Sequence, residues 1–409
     1  MYKNIIFHID VNSAYLSWEA VYRCRELGEA EDLREIPSVV GGDITKRHGV
    51  VLAKSIPAKK YGVQTGEPLQ SAFKKCPNLV NVPARHDLYA KYSESLLAIL
   101  NEYTPIIEQT SIDEAFLEMN GFFNSLEEAV QAAYTIKDRV KNELGFTVNI
   151  GVSVNRILAK MASDFKKPDY VHTLFPSEIS EKMWPLPIRK LYGIGKATER
   201  KLKDLGIYTI GDLAATDISI LKSHLKKQGE IIHNHANGLG TSYINHDTPV
   251  NKGYGNSLTI PYDVTDFETA KLILLSLSET VSSRLRTHDV LASVICVELT
   301  DCNFNHSSHQ RTLPTPTDVT YEIQNTASAL LKELWDGVTP IRLLGVRAGK
   351  VTEDQNRQIN FFDFENYEKQ SKLDSAIDSI RDKFGHASVI RASFLDQSTN
   401  PLEGKNKKK

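Results

Sequence analysis

Cysteine is scarce in this chain. Its 409 residues hold four, Cys24, Cys76, Cys296 and Cys302, scattered and without a C-x-x-C. That argues against a disulfide framework and for free thiols in a reducing cytosol. Long apolar runs are missing too, none approaching the roughly 20 residues of a membrane helix. The opening, MYKNIIFHIDVNSAYL, lacks the basic region, apolar stretch and small-residue cleavage site of a secretory leader. Neither sign of charge dominates, the formal net charge being −2. This neither indicates nor excludes nucleic acid, because a neutral chain can gather its basic residues on one face. The region 184–252 is locally basic and GKNKKK closes the chain, but 253–350 is not basic by count.

What is present is an ordinary composition for a soluble protein, 41% hydrophobic and 24% charged, at a length that predicts three or four domains. The run NIIFHID (4–10) reads as a buried strand ending at Asp10. NSAYLSWEAVYRCREL (12–27) has helical apolar spacing behind an Asn–Ser start. SVVGGDITKRHGVVLAKS (38–55) predicts two short strands around a Gly-rich turn, and 77–103 a loop running into a long amphipathic helix. Two short strands over 107–118 meet at Asp113–Glu114. A helix over 125–145 ends at Gly145, a strand follows over 146–154, and a helix over 155–168 is capped by Asn155 and stopped before Pro168. The stretch 184–236 reads as all-helical and 237–256 as a linker. Strands and helices alternate over 257–351, and the polar tail carries one helix near 371–384.

The pair Asp113–Glu114 raises the functional question. Adjacent carboxylates close to a core repel each other and lose solvation. A divalent cation between them removes the conflict, and oxygen donors of this kind suit Mg²⁺. Asp10, ending another apolar strand, is the natural third carboxylate for a two-metal displacement at phosphorus. The alternative is a solvated hairpin tip.

Three segments then fall in a recognisable order. HIDVNSAYLSWE (8–19), SIDEAFLEM (111–119) and GVSVNRILAKMASDFKKP (151–168) resemble the successive motifs of the Y-family DNA polymerases, the translesion enzymes that include DinB and UmuC. The resemblance covers nearly the whole chain. It implies an α+β right-hand fold: a palm over 1–183 with fingers inserted at 12–78, a helical thumb over 184–245, a mixed α/β little finger over 253–351 and a tail over 352–409. It implies a template-directed DNA polymerase for DNA repair, in damage-induced use, that joins dNTP to a primer 3′-hydroxyl with two Mg²⁺ ions. Asp10, Asp113 and Glu114 resemble the metal ligands, with Val11 offering its backbone carbonyl. Lys160 resembles a triphosphate lysine, and Tyr15 the steric gate that excludes a 2′-hydroxyl by built-in repulsion. A core aromatic or a solvated lysine is the structural alternative for each.

Two departures stand out. The first motif has Asn12 where many members carry a second Asp, so Asn12 is not expected to be an essential ligand. In AKSIPAKKYGVQTGEPL (53–69), Ile56 and Lys59 stand where DinB-like members place Tyr and Arg on the incoming phosphates. Lys59 still supplies a point charge. This form places the chain nearer the UmuC branch.

LYGIGKATERKLKDLGIYTIGDLA (191–214) reads as a helix–hairpin–helix, with Gly193 and Gly195 allowing a tight turn toward a phosphate and Lys196 and Arg200 adding charge. In the little finger, Arg311, Arg342 and Arg347 are candidates for contact with the DNA backbone, set against ordinary surface arginines. Gln358, Ile359, Phe361 and Phe362 form an apolar knot in a polar tail and resemble a sliding-clamp-binding peptide. Primer–template DNA, dNTP and a clamp are thus the implied partners, with accessory subunits open. A DNA-binding, clamp-recruited scaffold without catalysis is the rival from another class, and a nucleotide cyclase is a second. GGDIT (41–45) lacks the acid such a cyclase needs, and Cys302, His306 and His309 lack zinc-finger spacing.

Overall fold

The computed structural model describes residues 4–43, 49–245, 251–354, 364–385 and 387–394. They fall into two compact units, one within Met1–Gly42 and Gly49–Asp247, the other within Asp43–His48 and Thr248–Lys409.

In the first unit the opening apolar run becomes β1 (Ile6–Val11), with all six residues buried. Helix α1 (Ala14–Glu26) follows, but the Asn–Ser start does not cap it. Ser13 sits at φ 49° and its side chain makes no cap bond; instead Ser17 Oγ donates to the Asn12 carbonyl at 2.6 Å. The expected strand pair appears as β2 (Ser38–Gly41) and β3 (Val51–Lys54). Helix α2 (Ile56–Lys60) is capped by Ser55 Oγ, which accepts from Ala58 N at 3.0 Å. Helix α3 (Leu69–Lys75) leads into β4 (Val80–Pro83). The sequence predicts a loop at β4; its strand character comes from parallel pairing with β2 and not from an apolar run. These elements have a small core of their own around Val39, Val51, Leu69 and Ala72.

Helix α4 (His86–Asn101) returns the chain to β5 (Ile107–Gln109) and β6 (Glu114–Glu118). Then come α5 (Leu126–Arg139), β7 (Val148–Ser153), α6 (Arg156–Ser163) and β8 (Val171–Thr173). One five-stranded sheet results, in the order β5-β6-β1-β7-β8. β1 is central, which is why its run is apolar on both faces apart from His8 and Asp10. Helices α7 (Lys196–Asp204), α8 (Ile210–Ala215), α9 (Ile218–Leu225) and α10 (Lys227–Ala236) share a separate core with α6, built on Leu158, Met161, Leu202 and Ile232.

The second unit is a four-stranded antiparallel sheet with helices. Strand β9 (Gly253–Val264) begins inside the stretch expected to be linker. It is followed by α11 (Phe267–Thr287), β10 (Leu291–Asp301), β11 (His306–Thr317), α12 (Thr320–Leu334) and β12 (Ile341–Thr352). The order is β11-β10-β12-β9, over a core of α11, α12 and strand residues such as Ile295, Val297 and Leu344. The tail helix α13 (Phe364–Phe384) starts earlier than the expected 371. The fold is α+β, as expected.

Candidate active site

Asp10 lies near the end of β1 and pairs in register with Glu114, the first residue of β6. Asp113 is one step earlier, and its carbonyl accepts from Val11 N at 3.0 Å. That bond ties the β5–β6 tip to the end of β1, so three acidic residues from two distant segments come to one end of these strands. Ser111 Oγ donates to Asp113 Oδ1 at 2.6 Å.

Helix α6 supplies the neighbouring charge, and one glycine lets it come close. A Cβ on Gly151 of β7 would lie 1.9 Å from the Ala159 carbonyl oxygen and 2.6 Å from Ser163 N. Asn155 caps α6, its Oδ1 accepting from Leu158 N at 3.0 Å. Buried Asn149 donates to the carbonyls of Ser163 and Lys166, at 3.0 and 2.7 Å, and so fixes the chain leaving the helix. Lys160 thereby reaches Glu114 Oε1 at 2.8 Å, and Lys167 reaches Asp10 Oδ1 at 2.9 Å and Asp164 Oδ1 at 2.8 Å.

The two paired acids titrate in opposite directions. Burial pushes Asp10 up to about 6, against the pull of Lys167. Glu114 is held at about 2 by the His8 imidazole and, against its burial, by Lys160. The Lys160 contact is the shorter of these, since His8 Nε2 stands 3.7 Å from Glu114 Oε2, too far for a hydrogen bond. Burial draws His8 below its ordinary value. Burial also works against the Lys167 cation, but Asp10 and Asp164 outweigh it and hold Lys167 above the ordinary lysine value.

A cleft of about 510 Å³ opens beside these groups. Asp10, Val11, Asn12, Tyr15, Ile56, Lys59 and Asp113 line it, together with Lys54 and Lys167. Tyr15 stacks on Tyr89, with centroids 4.8 Å apart and planes 17° apart, and meets His86 edge-on at 5.7 Å. Glu114 and Lys160 are not among the lining residues; Lys160 lies behind, with its Nζ 5.8 Å from the Tyr192 ring centroid. Sequence reasoning gave no role to Lys167 or Lys54. Lys167 lies inside the third motif, where Pro168 beside it signals a helix stop and nothing local marks the lysine.

The donors are hard oxygens of the kind that hold Mg²⁺. Buried Asn12 Oδ1 has no hydrogen-bond partner and belongs to the same cleft. Among the described residues no three His, Cys, Asp or Glu side chains are gathered as a metal-holding group. Lys167 and Lys160 neutralise two of the acids instead. The residues therefore fit a divalent cation in kind, with two lysines as its competitors.

The remaining candidates are dispersed. Gly193 has φ 91°, which requires glycine, and Gly195 precedes Lys196 at the start of α7. Arg200 is exposed. Arg311 is ion-paired with Glu333, and Arg342 Nε lies 3.6 Å from Asp263 Oδ1. Arg347 is exposed and opposite Cys296 and Gly255. Gln358, Ile359, Phe361 and Phe362 lie outside the described residues.

Comparisons with known proteins agree on one family. Residues 9–164 match the impB/mucB/samB family, 251–361 match that family's C-terminal domain, and 176–207 match its HHH motif. DNA polymerase IV of Clostridium acetobutylicum is 45% identical over 97% of this chain and 99% of its own. DNA polymerase IV of Acetivibrio thermocellus is 37% identical over 98% of this chain and 100% of its own. DNA polymerase IV 1 of Bacillus subtilis is 33% identical over 98% and 96%. A solved Y-family DNA polymerase chimera of Dbh and Dpo4 superposes with a TM-score of 0.73 at 23% identity, covering 87% of this chain and 100% of that one. These relatives correct one expectation. The finger segment placed the chain nearer UmuC, but the relatives matched over nearly the full length are named DNA polymerase IV, and a UmuC placement is not supported.

Proposed function

The chain belongs to the impB/mucB/samB family, the Y-family DNA polymerases, and on that premise we propose how its cleft performs template-directed translesion synthesis. The observation that carries the reading is the backbone pairing that brings Asp10, Asp113 and Glu114 to one end of β1 and β6, with Asp10 and Asp113 lining a cleft that also holds lysines.

In this reading Asp10, Asp113 and Glu114, with the Val11 carbonyl, hold two Mg²⁺ ions. When bound, these supply Lewis acidity at the reacting phosphate and lower the cost of ionising the primer 3′-hydroxyl. The protein's own part is placement and charge. Lys59, Lys54 and Lys167 line the cleft from two sides and suit the triphosphate of an incoming dNTP. Lys160 orients Glu114 from behind. Tyr15, braced by Tyr89 and lining the cleft, would turn its ring against a 2′-hydroxyl. The primer 3′-oxygen attacks the α-phosphorus in line, and pyrophosphate leaves.

The first unit then comprises palm, fingers and thumb, and the second the little finger, with Gly193, Gly195, Lys196, Arg200, Arg311, Arg342 and Arg347 toward DNA. Gln358, Ile359, Phe361 and Phe362 are offered to a sliding clamp, and a cytoplasmic location fits, no described helix being long and apolar enough to cross a membrane. A silent scaffold is the weaker reading, since it gives the assembled acids and lysines no task.

The test is primer extension by the purified chain with Mg²⁺ and the four dNTPs, on templates with and without an abasic site. Template-dependent extension supports the reading. Sound primer–template binding without extension overturns it.

A further inference from the structure

Among the described residues of the second unit, one aromatic ring is more exposed than any other. Phe304, in the loop joining β10 to β11, is 73% exposed. Its φ is 66°, a left-handed conformation that is an outlier for a bulky residue. Such strain persists only where the surroundings impose it, and here they do. Asp301 Oδ1 accepts from Asn303 N and Asn305 N at 2.8 and 2.9 Å, while Oδ2 accepts from Asn305 Nδ2 at 2.8 Å. Phe304 N donates to the Asp301 carbonyl at 3.1 Å, and Cys302 N to that of Pro340 at 2.9 Å. The backbone is pinned while the ring is held out in solvent.

The ring is also half of a pair. The Arg342 guanidinium from β12 stands 4.5 Å from its centroid. Arg342 Nε is buried without a hydrogen bond, Asp263 Oδ1 being 3.6 Å away. A planar cation thus covers part of a rigidly presented aromatic whose remaining surface is open.

We propose that Phe304 and Arg342 form a stacking platform for an unpaired nucleobase of single-stranded DNA. Exposed aromatics layered with arginine accept any base through its π-face. Asp263 stands 3.6 Å from the Arg342 guanidinium, and Asp301 pins the loop that carries Phe304. These two carboxylates disfavour a phosphate but tolerate a neutral base, so the group that docks here is the base. The inference rests on the polymerase reading above, because a template-directed enzyme must hold unpaired template bases.

The experiment measures the affinity of the full chain for primer–template with a short 5′ template overhang. One overhang carries adenines and the other abasic residues of equal length and charge. The parent is expected to favour the adenine overhang about tenfold. Phe304→Ala is expected to bind both alike, at the parent's abasic affinity and with an unchanged melting temperature. Phe304→Trp restores the preference, and its added indole emission is quenched only by the adenine overhang. A parent without preference, or an alanine variant that keeps it, overturns the platform. An alanine variant that weakens both overhangs equally also overturns it, since the residue then serves the duplex, as does a protein-docking Phe304 that leaves both affinities intact. Primer extension by the parent on the adenine template separates the two claims: extension without base preference removes only the platform, and no extension removes the polymerase reading beneath it.

Discussion

Asp10 and Glu114 are direct register partners on adjacent strands, yet their surroundings drive them apart, Asp10 up to about 6 and Glu114 down to about 2. Asp10 loses solvent and has one lysine, whereas Glu114 faces both His8 and Lys160. Divergent neighbouring carboxylates are what a site that handles charge looks like. If these acids hold the metal ions, Asp10→Asn and Asp113→Ala should each lower primer extension by about 10³-fold or more. Primer–template affinity, read by anisotropy, should stay near the parent's, because neither side chain is needed to attract DNA. Retained extension in either variant removes the assignment.

The two lysines around this pair should separate kinetically. Lys167 lines the cleft, so Lys167→Ala should raise KM for dNTP about tenfold with a smaller effect on kcat. Lys160 touches Glu114 and lies outside the cleft lining, so Lys160→Ala should lower kcat with little change in KM. Steady-state insertion of a single nucleotide opposite a defined template base reads both values. The reverse pattern would return the triphosphate contact to Lys160, as the third motif implies.

The contrast between these lysines marks where sequence stops being informative. β1 and β6 were legible because each is a short apolar run abutting an acid, a local pattern. Lys167 was not, because its approach to Asp10 depends on Asn149 reaching forward to hold two carbonyls. No periodicity records that contact. β4 was hidden for a related reason: its strand state comes from its neighbour β2. The first turns of α13 carry no apolar period, because none of Tyr367, Glu368, Lys369 and Gln370 is fully buried.

Gly151 tests how closely α6 must approach the sheet. A methyl group there would meet backbone atoms at 1.9 and 2.6 Å, and neither can swing aside like a side-chain tip. Gly151→Ala should destabilise the first unit by about 3 kcal/mol, visible as a lower melting temperature, and should reduce extension even below that temperature as both lysines retreat. An unchanged melting temperature would mean that α6 does not lie this close to β7.

Tyr15 is expected to govern sugar choice. Its ring is stacked on Tyr89 and cannot easily turn away from the cleft it lines. Tyr15→Ala should raise ribonucleotide insertion relative to deoxyribonucleotide by on the order of tenfold or more, while Tyr15→Phe, which keeps the ring, should leave the ratio near the parent's. Single-nucleotide insertion with matched rNTP and dNTP measures it. Equal ratios in all three proteins would make Tyr15 a packing residue alone.

The tail helix offers a test of stability with no bearing on catalysis. α13 is anchored by charge: Arg286 donates to Asp378 and Asp374 at 2.6 and 3.3 Å, Arg381 and Arg391 both meet Glu279, and Asp374 Oδ2 accepts from Thr320 N at 2.8 Å. Glu279 and Asp374 are 3% and 5% exposed, so this is an ion cluster largely withdrawn from water. Such clusters add little net stability when whole, yet removing one member strands the rest, at a cost of about 3–5 kcal/mol. Leu373, Ile380 and Phe384 all face solvent, so α13 has little apolar burial to offset that loss. Asp374→Ala should therefore release the helix from α11 and α12 while the sheet of that unit survives. Hydrogen exchange should rise along α13 and stay low in β10 and β12, and primer extension should continue. Exchange that rises equally throughout the second unit would show instead that the cluster is part of that unit's cooperative core.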